Sequence, residues 1–348
     1  MKASTSKTSI PLPPGWSLGH SRTLNNRPYY YHKSSLHTQW HFPTPSEARD
    51  PVGTKKRMAA QQQEKREQRQ KKNNLPSIAI IVPYRDLHPL QNRAKHLKRF
   101  VPHMKSFLSD MISCGLIQNY HIYIIEQSND QRKFNRGKLL NIGFDYSIKK
   151  STKHPPKHDI FIFHDVDLLP QPPLAKWYAT SPAKPLHIAR VWDRYSNNPK
   201  YFGGIVSFSE EDMKKINGYP NNFWGWGGED DEMQARCESV GLEWDAPKVQ
   251  DSDKRPLIID LEEMNLKDKL NFLKQNKEWK CMVKWEALEE HVQTWRSNGL
   301  ANLSYDIHKI DKLDKDDKGE SKVTLLTVDV KLNGDHWSNE KCGVNYLP

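Results

Sequence analysis

The chain has 348 residues, 53 Lys and Arg against 42 Asp and Glu, a formal net charge of +11, and 36% hydrophobic residues. That length admits two domains at roughly 100–200 residues each, or one large domain with a small module, and the apolar content excludes a wholly disordered chain. Four cysteines (Cys114, Cys237, Cys281 and Cys342) exclude a disulfide scaffold and a paired CxxC zinc framework, while two disulfides stay open.

The N-terminus, Met1 to Lys7, is followed by no apolar stretch of the secretory type. The longest apolar runs, Ile78 to Val82 and Ile160 to Phe163, fall far short of the ~20 residues of a membrane helix. The sequence therefore reads as soluble, without signal or anchor, which by itself suggests the cytoplasm. Residues 1–75 hold 14 basic and 4 acidic side chains, a net of +10, so residues 76–348 carry only +1. The excess charge belongs to an arm, and nucleic acid is not expected as a partner.

Three zones follow in order. Residues 10–45 are rich in Pro, Trp and Tyr. Residues 46–75 are basic and polar, with Lys55-Lys56-Arg57 and almost no large apolar side chain, and read as a linker. Residues 76–348 read as a catalytic-size α/β domain. Ile78 to Val82, His121 to Ile125 and Ile160 to Phe163 are short apolar runs suited to buried strands. His96 to Met111 and Lys138 to Ile148 suit helices between and after them. Such alternation predicts a mainly parallel sheet flanked by helices. Ligands then lie beyond the C-terminal ends of the strands, where Pro83-Tyr84-Arg85-Asp86, Glu126-Gln127 and His164-Asp165-Val166-Asp167 stand.

In the first zone, Leu12-Pro13-Pro14-Gly15-Trp16, then Tyr29-Tyr30-Tyr31, then Trp40 and Pro43 resemble a WW domain, a small three-stranded all-β module. The two Trp are 24 apart, which implies a long first loop around Arg22 to Arg27. The resemblance implies that Trp16, Tyr30 and Pro43 form a buckle. Tyr29 and Trp40, with Thr38 alongside, would form a groove for proline-rich peptides in the polyproline II form. His32 and Lys33 depart from the family's usual Asn and His, so partner preference stays open. An aromatic hairpin without a ligand is the alternative.

Two acidic motifs carry the chemistry. Asp165-Val166-Asp167 at a strand end is a hard-oxygen site suited to Mn²⁺ or Mg²⁺. Phe223-Trp224-Gly225-Trp226-Gly227-Gly228-Glu229-Asp230-Asp231-Glu232 sets four acids after three glycines and two tryptophans. Carboxylates this dense need a cation, donors or water. Part of the acidity suits a helix N-terminus, but the Trp-Gly segment has no such explanation, and a Trp face suits a sugar ring.

Phe134 to Phe144, His164 to Pro170, Tyr201-Phe202-Gly203-Gly204 and Phe223 to Asp231 resemble, in order, the β-1,4-galactosyltransferase family, over about residues 76–310. Arg99 to Met104 and His164 to Pro170 lean toward its xylosylprotein branch. Tyr201 to Gly204 and Trp226 to Glu229 lean toward branches that use N-acetylglucosamine, so the acceptor sugar stays open.

The resemblance implies a GT-A-type fold and metal-dependent, inverting transfer from UDP-galactose to a glycan or glycoprotein acceptor. By the same resemblance Pro83, Tyr84, Arg85, Phe134, Arg136, Asp165, Val166 and Tyr201 bind the donor, and Asp167 binds the metal. Trp226 covers the sugars from a loop. Asp230 is the general base, and Glu229 and Asp231 orient the acceptor. The family has a second Arg soon after Pro83-Tyr84-Arg85; here Leu87 stands near that place, and Arg93 is the next Arg. Where the xylosylprotein branch has a second metal segment, this chain has Asp260-Leu261-Glu262. Alternation on one strand face would make Asp260 and Glu262 metal ligands; surface acids are the other reading. Asn298 to Tyr305 resembles the family again, and Asn302-Leu303-Ser304 is a sequon, meaningful only in a secretory compartment. The family is usually in the Golgi lumen, behind an N-terminal anchor. A non-catalytic WW adaptor on a sugar-nucleotide fold, or a transferase of another UDP-sugar, are the competing functions.

Overall fold

The computed structural model describes residues 11–21, 26–35, 37–50, 75–86, 93–130, 132–153, 157–195, 198, 200–248 and 256–330, with Lys56 and Ala60. Most of the expected linker, the loop at 22–25, Leu87 and Cys342 lie outside them. The chain divides into two compact units, Met1–Asn74 and Leu75–Pro348.

In the first unit, β1 (Trp16–His20), β2 (Pro28–His32) and β3 (His37–Gln39) form an antiparallel sheet in the order β1-β2-β3. Register pairs Trp16 with His32, Leu18 with Tyr30, and Tyr31 with Thr38. Because side chains alternate along a strand, Trp16, Leu18, Tyr30 and His32 share one face; Tyr29, Tyr31 and Thr38 share the other. Trp16 is buried with its ring edge-on to His32, and Tyr30 meets Phe42 at 5.5 Å. A short helix, Pro45–Arg49, closes the unit with a capping box between Thr44 and Glu47. Glu47 is buried and accepts from His41 and Gln39. Helical structure thus continues beyond residue 45, into the zone read as linker.

The second unit is built on a seven-stranded sheet of order β11-β12-β5-β4-β6-β9-β8. Its strands are β4 (Ser77–Tyr84), β5 (Asn119–Gln127), β6 (Ile160–His164), β8 (Leu186–His187), β9 (Ile205–Phe208), β11 (Tyr305–Leu313) and β12 (Val323–Val330). A separate pair joins β7 (Leu168–Pro170) to β10 (Ile258–Asp260). The four central strands β12, β5, β4 and β6 are parallel, whereas β11, β9 and β8 run antiparallel to their neighbours. The sheet is therefore mixed rather than mainly parallel.

Every residue of β4 and β6 is buried, as expected for parallel strands covered on both faces. Helix Arg93–Ser113 covers one face through Phe100, Met104, Leu108 and Met111, and continues through Pro102. Helix Arg136–Lys153 covers the other through Leu139, Leu140 and Ile142. Its Gly143 lies so close to the sheet that an added Cβ would meet Ile81 Cγ2 at 2.4 Å. No helix among the described residues is long and apolar enough to cross a membrane.

Candidate active site

The C-terminal ends of β4 and β6 open into a cavity of about 300 Å³. From β4 it takes Pro83, Tyr84 and Arg85, and from the turn after β6, Asp165, Val166 and Asp167. Phe134 and Arg136 enter from the start of the second covering helix. Glu126 and Gln127, at the end of β5, do not line it. Gln127 instead shapes the next loop: its Nε2 donates to Asp130 and to the Lys133 carbonyl, and its Oε1 accepts from Asn135 N–H. Arg85 is tied to the same loop through Asp130 and the Arg132 carbonyl.

The acidic segment completes the wall. Helix Glu229–Ser239 starts on Gly228, whose φ of 107° is left-handed. A Cβ there would meet Phe223 Cε1 at 2.3 Å, so glycine is required on two counts. The preceding loop is pinned by Trp226 N–H on the Trp279 carbonyl and Cys281 N–H on the Trp226 carbonyl. Trp226 lines the cavity and is 42% exposed.

Arg136 joins the acids of the two motifs. Its Nε donates to Asp165 Oδ1 at 2.7 Å and its Nη1 to Asp230 Oδ1 at 2.8 Å, with Glu229 Oε1 at 3.6 Å. One cation thus faces three carboxylates. Burial raises all three acids above their ordinary range; Arg136 opposes the rise, and the neighbouring carboxylates add to it. Arg136 Nη2 and Glu229 Oε2 are buried without a hydrogen-bond partner among the described residues. Asp231 pairs with Lys284 at 2.6 Å. Gly203 explains part of the Tyr201-Phe202-Gly203-Gly204 motif: a Cβ on Gly203 would lie 2.1 Å from Asp230 Oδ2. Tyr201 stacks on Tyr195 at 4.0 Å between ring centres, and both line the cavity.

The expected second metal segment is built differently. β10 ends at Asp260, and Leu261 and Glu262 lie in a turn. Alternation on a strand face therefore does not extend to Glu262. Glu262 Oε1 accepts from Arg93 at 2.6 Å and Lys269 at 2.9 Å; Oε2 accepts from Arg194 at 2.7 Å and Lys269 at 2.9 Å. Burial pushes this carboxyl up, but Arg93, Lys269 and Arg194 together hold it below its ordinary range. Asp260 accepts from Glu262 N–H and Trp192 Nε1 and pairs with Arg194. Asp167 Oδ2 accepts from Arg93 at 2.7 Å.

A carboxylate offers about four lone-pair sites, and Glu262 has filled four with cationic donors. Glu262 is thus filled by cations and does not share a strand face with Asp260, which corrects the expected alternation. Asp167 Oδ1 and Asp260 Oδ1 lie outside these ion pairs; Asp260 Oδ1 accepts from Glu262 N–H, and Asp167 Oδ1 fits a hard cation. Among the described residues no group of three His, Cys, Asp or Glu side chains is placed to hold a metal ion.

Arg93, Arg194 and Lys269 are the functional candidates that sequence reading missed. Arg93 opens helix Arg93–Ser113, which carries it back to the cavity despite its distance from Arg85. Arg194 sits in Trp192-Asp193-Arg194-Tyr195, a basic and aromatic cluster that could have served as a signal.

A parallel-centred α/β sheet with an acidic strand-end turn and an aromatic loop over its cavity defines the nucleotide-sugar glycosyltransferase class. Residues 47–178 match the family model described as the N-terminal region of glycosyl transferase group 7. Residues 183–257 match the one described as the N-terminal domain of galactosyltransferase. β-1,4-Galactosyltransferase 4 of Mus musculus is 34% identical over 232 residues, 66% of this chain and 59% of the relative. β-1,4-Galactosyltransferase 1 of the same species is 31% identical over 256 residues, 73% and 54% of the two chains. This chain thus spans between half and three-fifths of those relatives' length. The catalytic domain of Drosophila β-1,4-galactosyltransferase 7, solved with xylobiose, superposes with a TM-score of 0.58 at 28% identity, covering 76% of this chain and 99% of that one. A mutant of that enzyme was solved with manganese, UDP-Gal and xylobiose, with a TM-score of 0.57. The chain belongs to the β-1,4-galactosyltransferase family.

Proposed function

We propose that this chain transfers galactose, with inversion, from UDP-galactose to the 4-hydroxyl of a xylose- or N-acetylglucosamine-type acceptor. We further propose three parts: a WW module at residues 10–45, a basic linker, and a catalytic domain at 76–348. The observation that carries the enzymatic reading is the Arg136 bridge. It sets Asp230, at a helix start beside an aromatic loop, against Asp165 at the donor strand end.

In this reading Pro83, Tyr84, Arg85 and Phe134 hold the uridine half of the donor. Val166 and Tyr201 enclose the donor sugar, and Asp165 holds its hydroxyls or the ribose. Asp230 takes the proton of the acceptor 4-hydroxyl as that oxygen attacks the galactose C1. The C1–O bond to the diphosphate breaks on the opposite face and UDP departs with the electron pair. One base suffices for a single in-line displacement, and no nucleophilic side chain is needed. Glu229 and Asp231 orient the acceptor, and Trp226 covers the sugars. Mn²⁺ or Mg²⁺, when bound at Asp167, would supply positive charge to the diphosphate.

In the first unit Tyr29 and Trp40 lie 5.9 Å apart at 69°, and Arg27 sits over Trp40. Exposed Thr38 shares their face. Such a slot suits proline rings.

The test is a screen of UDP-galactose, UDP-glucose and UDP-N-acetylgalactosamine against β-xylosides, N-acetylglucosaminides and glucosides. Galactose transfer to one of the first two acceptor classes is expected. Dominant use of the N-acetylated donor would contradict transfer of galactose.

A further inference from the structure

We propose that Arg93, Arg194 and Lys269, gathered on Glu262, form the seat of the donor's diphosphate, and that this chain binds a nucleoside diphosphate without a divalent cation. The inference rests on the donor-site reading above.

Four separate segments bring these groups together: the start of helix Arg93–Ser113, the 3₁₀ turn Asp193–Tyr195, the turn after β10, and helix Leu266–Gln275. Side chains of Arg194, Lys269 and Glu262 are 3%, 6% and 7% exposed. Gathering three like charges at one buried carboxylate is costly, because their repulsion and desolvation are offset by a single anion at its centre. Asp167 and Asp260 complete the balance from the flanks, on Arg93 and Arg194.

A purely structural ion pair in the same domain looks different. Arg236 and Glu232 are fully buried one to one; Arg236 spends its remaining donors on the Gly218 and Asn298 carbonyls, and neither residue lines the cavity. Arg93, Arg194, Lys269 and Glu262 all line it, in company with Asp165 and Asp167.

The chemistry of the three donors fits a diphosphate. A guanidinium fork matches two phosphate oxygens at once, and an ammonium serves as a point charge. Glu262 keeps the three cations together while the site is empty of donor. An arriving diphosphate competes with Asp167 and Asp260 for Arg93 and Arg194, and shares Lys269 with Glu262. As the bond to galactose breaks, the same cations meet the charge that develops on the departing UDP.

Calorimetric titration of the full chain with UDP and with uridine, in EDTA and in Mn²⁺, tests this. UDP should bind in EDTA within about threefold of its affinity in Mn²⁺, and uridine at least about tenfold more weakly than UDP. Arg194→Met and Lys269→Met should each weaken UDP in EDTA about tenfold and leave uridine unchanged, and Arg194→Lys should recover part of the loss. A structural role alone would weaken both ligands together. UDP binding confined to Mn²⁺, or unchanged in both Met variants, overturns the inference and leaves the transferase reading standing. No UDP binding in either condition overturns both.

Discussion

Two ion-pair clusters line the same cavity, and they are centred on opposite charges. At Arg136 one cation meets Asp165, Asp230 and Glu229. At Glu262 one carboxylate meets Arg93, Arg194 and Lys269. In the proposed reading the first raises carboxyl groups, as a base that must take a proton from a sugar hydroxyl requires, and the second gathers donors, as a leaving diphosphate requires. A transferase has to accept a proton at one end of its reaction and negative charge at the other, and the proposed roles divide that polarity between the two clusters.

The largest effect should come from the acidic side. Asp230→Asn removes the base and should lower kcat at least about 100-fold, with UDP affinity unchanged by calorimetry. Equal loss of UDP binding would break the division between the clusters.

A pH profile sharpens the same point. Burial holds the Asp230 carboxyl well above its usual range, against the pull of Arg136. A base must be ionised, so transfer should fall as pH drops through that raised value, with an acid limb above ordinary carboxylate pH. The stability sign is opposite. The folded state retains a proton that the unfolded chain releases. The stabilisation is therefore full below the unfolded pKa and is lost as pH rises through the folded one.

On the cationic side, Glu262→Gln leaves three cations, two of them buried, without their central anion. A loss of about 3 kcal/mol is expected, read as a lower Tm and denaturant midpoint. An unchanged Tm would mean that Glu262 does not hold the cluster together.

Gly203→Ala is a finer probe of the acidic cluster. The added methyl must displace the Asp230 carboxylate, and about tenfold lower kcat with unchanged Tm is expected from the misplacement. The smallest effect on transfer should come from Trp40→Ala. It should abolish binding of a proline-rich peptide, measured by fluorescence polarisation, and leave the rate of galactose transfer unaltered.

Much of the acidic cluster was legible in the sequence because its members sit in runs: Asp165 to Asp167 after an apolar strand, and Glu229 to Asp231 after glycines and tryptophans. Three of the four central strands, β4, β5 and β6, were legible for the same reason, as continuous apolar segments. The cationic cluster was not, because Arg93, Arg194, Glu262 and Lys269 come from four segments, and only the aromatic residues around Arg194 mark one of its cations locally. Lys269 lies on a short helix, where a lysine ordinarily reads as solvated, yet it is 5% exposed. The alternation of Asp260 and Glu262 misled because β10 ends before the second acid, and Glu263 takes a left-handed φ of 54° as the chain turns. The β11–β12 hairpin was also unread: β12 alternates buried and half-buried residues rather than showing an apolar run, and it joins β5 in parallel from the far end of the sequence.

The polarity of the two clusters is tested most directly by the product. NMR of the disaccharide made from UDP-galactose and a β-xyloside or N-acetylglucosaminide should show one new β-linkage to the acceptor 4-hydroxyl, made by wild type and nearly absent with Asp230→Asn. An α-linked product, or equal turnover by the variant, would contradict the account.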